Sequence, residues 1–393
     1  MYAGRLLNSD GGSEKLDVMA QKLIYHDTNA TIKGKPLMLA GPLASRGWAI
    51  QENILSRRVL SYCIGEIVFE CSCKVVCECG GIDHQVNLQR QGRPAMGPQN
   101  RRIEAVYRKP FTVIDSAQDM YNDWRQTIIE YTRRGLTKPS DKLPALSGIA
   151  SKVAKSTGDV YLAGLWKRHL QKQLLWYREQ ADLVTAATLD LPSEYRAPTF
   201  SWASVEGPVL YESFLPETSQ HQGAVQISVQ DAQCTAPGAN PFGTVSDGFV
   251  MLSGLVFETT LGRKQDAYIF GWSERFRTID FYPDALLSEV EIETPSGSKL
   301  RTMRRVRTND TKIPQKTTVT CLLIAANPHQ FPLPPDPQNN NFTHSKEYFL
   351  LLLGISPSVT TVHERLGLLK LSVQDGIAPR WLDGAERKQL TII

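Results

Sequence analysis

The sequence predicts an α+β fold in which a central helical region is followed by a mostly antiparallel β domain. The helical prediction depends on apolar residues that recur at three- and four-residue steps in the middle of the chain. The β prediction depends on short β-branched or aromatic runs that are separated by Gly, Pro and Asn in the second half. A length of 393 residues, with 41% hydrophobic and 21% charged residues, is ordinary for a globular protein of two or three domains.

We divide the chain into three predicted domains. Residues 1–110 contain a Cys-rich hairpin and a long polar loop, residues 111–197 are helical, and residues 198–393 are rich in strands. Each domain is long enough to bury apolar side chains of its own, and together they can bury a sizeable core.

The first domain is predicted to begin with a helix over residues 13–24, where leucines and a methionine follow helical spacing. A second helix is predicted over residues 46–55. Residues 59–62 and 67–73 alternate in polarity as strands do, and residues 80–110 are polar and rich in Gln, Arg and Gly, which indicates a long loop.

The second domain contains three predicted helices. The helix over residues 120–134 places Trp124 on its apolar face and stops at Gly135, as helices commonly do. Asp141 is positioned to cap a helix over residues 142–155. Residues 162–174 carry Leu, Trp and His at three- and four-residue steps with basic residues between them, which predicts an amphipathic helix.

The third domain opens with residues 199–205, where Trp202 lies among small residues in the pattern of a short buried strand. Further strands are predicted over residues 224–229, 249–260, 267–270, 290–293, 319–326 and 348–354. Residues 301–307 hold four arginines in seven positions. We expect a solvated hairpin edge there rather than a phosphate-binding site, because no aromatic residues interleave.

The charge balance bears on partners and compartment. A formal charge of +4, from 44 basic and 40 acidic residues, is too near neutrality to predict a nucleic-acid partner. The longest apolar run, residues 348–355, is too short to span a membrane, and residues 1–12 lack the charged and apolar regions of a signal peptide. We therefore expect a cytoplasmic protein whose partner is a protein or a small molecule.

Five of the seven cysteines lie close together, and four of them form two C-x-C pairs, Cys71 with Cys73 and Cys77 with Cys79. With His84 nearby, they could supply the four donors of a structural zinc site. The alternative is a set of thiols in a hairpin, because cysteines one apart on a strand point to opposite faces. His84 follows an aspartate and is a candidate for acid–base catalysis, the alternative being an exposed histidine.

Five segments together resemble the fungal heterokaryon-incompatibility (HET) family. Residues 46–60 (RGWAIQENILSRRVL) are similar to the last of three HET-domain motifs, and residues 136–150 (LTKPSDKLPALSGIA) to the segment that follows it. Residues 161–176 carry the family's "YxAGLW…LLW" pattern, and residues 197–205 (APTFSWASV) its "aPSWSWAS" pattern with Thr and Phe for Ser and Trp. Residues 381–393 resemble the way many of these chains end.

The resemblance implies a role in nonself recognition and regulated cell death. Intact HET domains resemble the TIR fold, and Glu52 matches the acidic residue of the last HET motif, so it is a candidate catalytic carboxylate. The alternative for Glu52 is an ion pair with Arg46 or Arg57. The first two HET motifs do not occur before Arg46, so we expect residues 1–110 to be a truncated HET (TIR-like) remnant without the complete effector domain.

A second interpretation is a repurposed intracellular enzyme or accessory protein of fungal secondary metabolism that acts on a small molecule. The sequence contains no nucleophile elbow, phosphate-binding loop, H-E-x-x-H metal motif or dinucleotide fingerprint that would name a reaction or a cofactor. A protein-binding scaffold is the third interpretation.

Overall fold

The computed structural model describes residues 4–7, 13–16, 31–32, 35–36, 42–62, 67–71, 75–78, 111, 117–179, 191–212, 224–264, 267–271, 276, 278–294, 296–307, 316–329, 345–374, 382 and 384–393. The chain divides into two compact units. The first comprises Met1–Ser45 and Ser56–Val113, and the second comprises Arg46–Leu55 and Ile114–Ile393. The predicted helical and β-rich domains therefore share one unit, and residues 46–55 belong to it as well.

The first unit is built from short antiparallel pairings. Its strands are β1 (Gly4–Leu7), β2 (Ser13–Leu16), β3 (Thr31–Ile32), β4 (Lys35–Pro36), β5 (Arg58–Tyr62), β6 (Ile67–Cys71) and β7 (Val75–Cys77). β1 pairs with β2, β3 with β4, and β5, β6 and β7 form a three-stranded sheet. The strands predicted over residues 59–62 and 67–73 are confirmed as β5 and β6.

The helix predicted over residues 13–24 is wrong where the structure describes it. Ser13–Leu16 is extended, and its residues pair one to one with β1 from Leu7 to Gly4. The ladder satisfies the backbone polar groups that a helix would otherwise have paired internally. Residues 17–24 and the predicted loop over residues 80–110 lie outside the described residues.

The described residues of the second unit contain four α-helices: α1 (Trp48–Leu55), α2 (Ala117–Thr132), α3 (Ser147–Thr157) and α4 (Leu170–Gln173). The amphipathic reading of α2 is confirmed, since Trp124, Ile128 and Tyr131 are all buried. α1 buries Ile50 and Ile54. Among the helices that the structure describes, none has the length and apolar character needed to cross a membrane.

Residues 162–174 do not form the predicted amphipathic helix. Tyr161–Leu162 (β8) and Leu165–Trp166 (β9) make a hairpin, followed by a 3-10 turn at Lys167–His169 and the single turn of α4. The two residues between the strands, Ala163 and Gly164, have φ values of 49° and 98°. Positive φ at both positions belongs to a tight hairpin turn and excludes a right-handed helix.

Two other local predictions are corrected. Residues 199–205 turn into a 3-10 helix, Trp202–Ser204, rather than a strand, because Ser201 Oγ accepts a hydrogen bond from the Ala203 amide at 3.0 Å and caps it. Asp141 does not cap α3, since it lies in a separate 3-10 turn, Pro139–Lys142. Its carboxylate instead accepts a hydrogen bond from Trp48 Nε1 at 3.0 Å.

The predicted antiparallel β region is confirmed. Its strands are β10 (Trp176–Arg178), β11 (Val209–Tyr211), β12 (Ala224–Val225), β13 (Ser228–Thr235), β14 (Asp247–Lys264), β15 (Ala267–Phe270), β16 (Thr278–Pro283), β17 (Leu286–Glu293), β18 (Lys299–Val306), β19 (Thr317–His329), β20 (Ser345–Ile355), β21 (His363–Gln374) and β22 (Glu386–Ile392). β10 pairs with β11 and β17 with β18, and the other nine strands form one sheet.

The large sheet closes on itself because β14 is long enough to pair with two strands in succession. Its residues 250–256 pair with β22 and its residues 256–261 pair with β19. β19, β20, β21 and β22 then complete the circuit. The hairpin β17–β18 packs Leu287 and Met303 into the same apolar core as this sheet, so the core extends from the sheet to the hairpin.

Candidate functional site

Four fully buried tryptophans form the centre of the second unit: Trp124, Trp166, Trp176 and Trp202. Trp124 and Trp202 both donate from Nε1 to the Gly164 carbonyl oxygen, at 2.9 and 3.1 Å. One carbonyl oxygen has two lone pairs and can serve two donors. The turn between β8 and β9 is therefore tied to α2 and to the 3-10 helix at residues 202–204 through a single atom.

A buried ion pair joins this cluster to the sheet. The Arg365 and Asp284 side chains are fully buried, and Nε of Arg365 donates to Oδ2 of Asp284 at 2.9 Å. Arg365 also donates to the backbone oxygens of Leu174, at 2.7 Å, and Trp176, at 2.5 Å. Its guanidinium lies 3.6 Å from the Trp176 ring centroid. These donations satisfy a charge that would be very costly if it were left unpaired.

Further guanidinium groups approach the same aspartate. Arg178 Nη1 donates to the Asp284 carbonyl oxygen at 3.2 Å, and Arg305 Nη1 donates to Ser204 Oγ at 3.1 Å. Burial raises the pKa of Asp284 and lowers that of Arg365, while the attraction between the two opposes both shifts. The expectation of a solvated arginine edge is therefore wrong for Arg305, whose side chain turns toward this buried group.

Lys142 occupies a second buried position. Its side chain is almost entirely excluded from solvent, its Nζ donates to the Val205 carbonyl oxygen, and it lies 6.0 Å from the Trp202 ring centroid. Burial lowers the Lys142 pKa to about 7, and repulsion by Arg196 adds to this while Glu206 opposes it. At neutral pH the amine is therefore divided between its charged and neutral forms.

Lys142 lines a cleft of about 200 Å³, together with Tyr131, Thr132, Arg134, Gly135, Leu136, Pro139, Arg196, Glu206 and Gly207. Arg196 pairs with Glu206 at 2.6 Å and donates to the Val205 carbonyl oxygen at 2.9 Å. A partly neutral amine beside a guanidinium group can bind an anion or attack a carbonyl carbon. The cleft therefore brings a buried amine and an ion-paired guanidinium group to one small space.

Glu52 does not line this cleft. It is exposed on α1, whose opposite face carries Ile50. α1 is held in place by two neighbours of Glu52 instead, since Gln51 Oε1 accepts from the Gly148 amide at 2.6 Å and Trp48 bonds to Asp141. The catalytic role of Glu52 stays a prediction.

The zinc hypothesis falls mostly outside the described residues, as do His84, Cys73 and Cys79. Within the described parts of the chain, no group of three or more His, Cys, Asp or Glu side chains could hold a metal ion. In the hairpin β6–β7, Cys77 pairs with Val68, three residues and about 10 Å along the strand from Cys71. The zinc site at Cys71, Cys73, Cys77 and Cys79 stays a prediction.

Sequence reasoning missed Lys142, Arg365 and Asp284. For the two cations, the available signal was a basic residue beside or within an apolar run, as in residues 142–150 and 365–371. A charged residue in such a run is almost never fully buried unless it is paired.

Comparison of the chain with models of protein families, with curated proteins and with solved structures finds no match.

Proposed function

We propose that the chain is a HET-family protein related to fungal nonself recognition and regulated cell death, and that its second unit acts as the recognition body. In this proposal residues 1–110 derive from a HET domain, whose intact form is TIR-like. The supporting observation is that hydrogen bonds between residues of the second unit connect the five segments that resemble the family.

These bonds form a continuous series. Trp48 of the first segment bonds to Asp141 of the second. Lys142, in the second segment, donates to Val205 of the fourth. The third segment accepts from the fourth through the Gly164 carbonyl oxygen, and the amide of Thr199, in the fourth, donates to the backbone oxygen of residue 393 at 2.9 Å.

Hydrogen bonds between these segments satisfy their polar groups within one unit. A fungal expression experiment tests the proposal. An intact HET domain from a relative is joined to this chain or, as the matched control, to an unrelated folded domain of similar size, and dead hyphal cells are counted after induction. We expect the two fusions to differ in the fraction of dead cells, because a recognition body restrains or triggers its effector. Equal fractions at equal protein levels would contradict the proposal.

A second function is favoured by the Lys142 cleft, namely an intracellular role in fungal secondary metabolism through a small molecule. The gene is deleted and then restored as either the wild-type gene or the Glu206→Gln variant. This substitution weakens the ion pair between Arg196 and the half-exposed Glu206 and removes no buried apolar side chain. We expect the metabolite profile to change on deletion and to recover only with the wild-type gene. An unchanged profile in several media would contradict this function.

A further inference from the structure

A second cleft opens where β18 approaches the turn between β20 and β21. It encloses about 250 Å³ and is lined by Leu191, Arg304, Arg305, Pro357, Ser358 and Glu364. The Lys142 cleft shares none of these residues. Two basic side chains, a hydroxyl and a carboxylate thus face one space that the HET-family proposal does not use.

Arg305, which lines this cleft, carries an unsatisfied donor. One of its terminal nitrogens is bonded to Ser204, but its Nε is buried and has no hydrogen-bond partner among the residues that the structure describes. A buried N–H without an acceptor is costly, and a buried charged donor more so. An acceptor supplied by a ligand would remove that cost.

The charge behind the cleft is also unbalanced. Arg178, Arg305 and Arg365 all lie near enough to Asp284 to stabilise its charged form. Asp284 and, at the cleft itself, Glu364 are the carboxylates that oppose these three guanidinium groups, so the cations exceed the carboxylates by one. Burial strengthens the attraction of such a cationic excess for an anion, because little solvent screens it.

Glu364 limits which anion fits. It lies at the cleft and accepts a hydrogen bond from Ser356 Oγ at 3.2 Å, and Ser356 in turn is 3.0 Å from the hydroxyl of Ser358. A carboxylate repels an anion whose oxygens carry no proton. Sulfate and other carboxylates are anions of this kind near neutral pH. It can accept a hydrogen bond from a phosphate group that retains a proton.

We propose that this cleft binds a phosphate group that carries a proton, either inorganic phosphate or the phosphomonoester end of a small metabolite. The Arg304 and Arg305 guanidinium groups donate to the phosphate oxygens, and the Ser358 hydroxyl adds a third donor. Glu364 accepts a hydrogen bond from the protonated phosphate oxygen and so discriminates against sulfate. Arginine suits this role because its planar group presents several donors to a tetrahedral oxyanion.

Isothermal titration calorimetry on the full chain tests the proposal, with inorganic phosphate, glycerol phosphate and sulfate as separate ligands. Titrations are made at about pH 6, where a phosphomonoester still retains a proton in half of its molecules. We expect at least one phosphate ligand to bind about tenfold or more tightly than sulfate, which corresponds to one charged hydrogen bond. The tighter of the two phosphate ligands identifies the source of the group, and either result supports the site.

The variants separate the site from general charge. Arg305→Gln should weaken phosphate binding about tenfold or more. The matched control is Arg301→Gln, which removes the same charge from the same strand at an exposed position outside the cleft and should leave the Kd unchanged. Glu364→Gln should bring the sulfate and phosphate affinities together.

Because Arg305 also contributes to the buried core, its variant is checked for folding by thermal unfolding. Ser358→Ala, at an exposed position, should weaken phosphate binding without affecting the fold, so the test does not depend on Arg305 alone. The proposal is overturned if neither phosphate ligand binds, if wild-type protein binds sulfate equally well, or if Arg301→Gln weakens binding as much as Arg305→Gln.

Discussion

Replacing Gly164 with alanine should destabilise the second unit more than any surface substitution would. At φ 98°, an alanine in left-handed backbone costs about 1–2 kcal/mol. Its Cβ would also lie 2.6 Å from Nε1 of Trp202, and moving a packed indole costs about 1–3 kcal/mol. The two contributions predict a loss of roughly 2–5 kcal/mol in the free energy of unfolding.

Gly158 offers a matched control. It has φ 62° and ends α3, but nothing lies within 4 Å of a Cβ built on it. Gly158→Ala therefore carries the backbone cost without the steric cost. Both substitutions also gain about 0.4–1 kcal/mol from the reduced entropy of the unfolded chain, so this gain cancels between them. The difference between the two losses should be about 1–3 kcal/mol and should report the contact with Trp202.

Equilibrium unfolding in urea, followed by far-ultraviolet circular dichroism, measures both losses from the midpoint and slope of each transition. Near-ultraviolet circular dichroism should change for Gly164→Ala alone, because that substitution displaces a buried indole. Equal losses for the two variants, with the near-ultraviolet signal unchanged, would refute the steric argument and leave only the backbone cost.

Three further outcomes follow from buried groups. Asp284→Ala should cost about 3–5 kcal/mol in urea because it leaves Arg365 buried and unpaired, and adding Arg365→Met should recover part of that loss. The Lys142 pKa is lowered from 10.5 to about 7, so between these values the unfolded chain holds a proton that the folded chain lacks. Stability should therefore rise with pH in this interval by up to about 1.4 kcal/mol per unit, and Lys142→Met should remove that slope. Gly354→Ala would place a Cβ 2.0 Å from the Met303 carbonyl oxygen and should lower the thermal midpoint by separating β20 from β18.

The parts of the fold that the sequence predicts are those with one clear period. α2 could be predicted because its apolar residues follow helical spacing and neither Gly nor Pro interrupts it. The strands β14, β19 and β20 could be predicted because their β-branched and apolar runs are bounded by Gly, Pro and Asn. In both cases local preference and tertiary burial agree.

Residues 161–174 were not predictable in this way, because three- and four-residue steps also arise when a hairpin and a short helix bury all their sides. Leu162, Leu165, Trp166 and Leu170 are fully buried although they lie in a hairpin and a short helix and not along one helix. The sequence signal was Gly164, which is unfavourable inside a helix.

The buried Arg365 could not be predicted as a site, because its partner Asp284 is 81 positions away and the sequence alone does not pair them. Lys142 has the same difficulty: its amine bonds to a carbonyl oxygen 63 positions further along the chain. Local patterns identify the elements, whereas these contacts depend on how the elements are brought together.

The ion pair of Arg365 has a consequence for the order in which the chain folds. Its guanidinium reaches the carbonyl oxygen of Leu174 across 191 positions, so this contact closes a long loop, which slows folding. During synthesis at roughly 5–20 residues per second, about 10–40 s pass between the emergence of these two residues. Throughout that time the carbonyl oxygens of Leu174 and Trp176 lack the Arg365 guanidinium that later donates to them. In the nascent chain these two carbonyl oxygens must therefore bond to water until β21 has been synthesised.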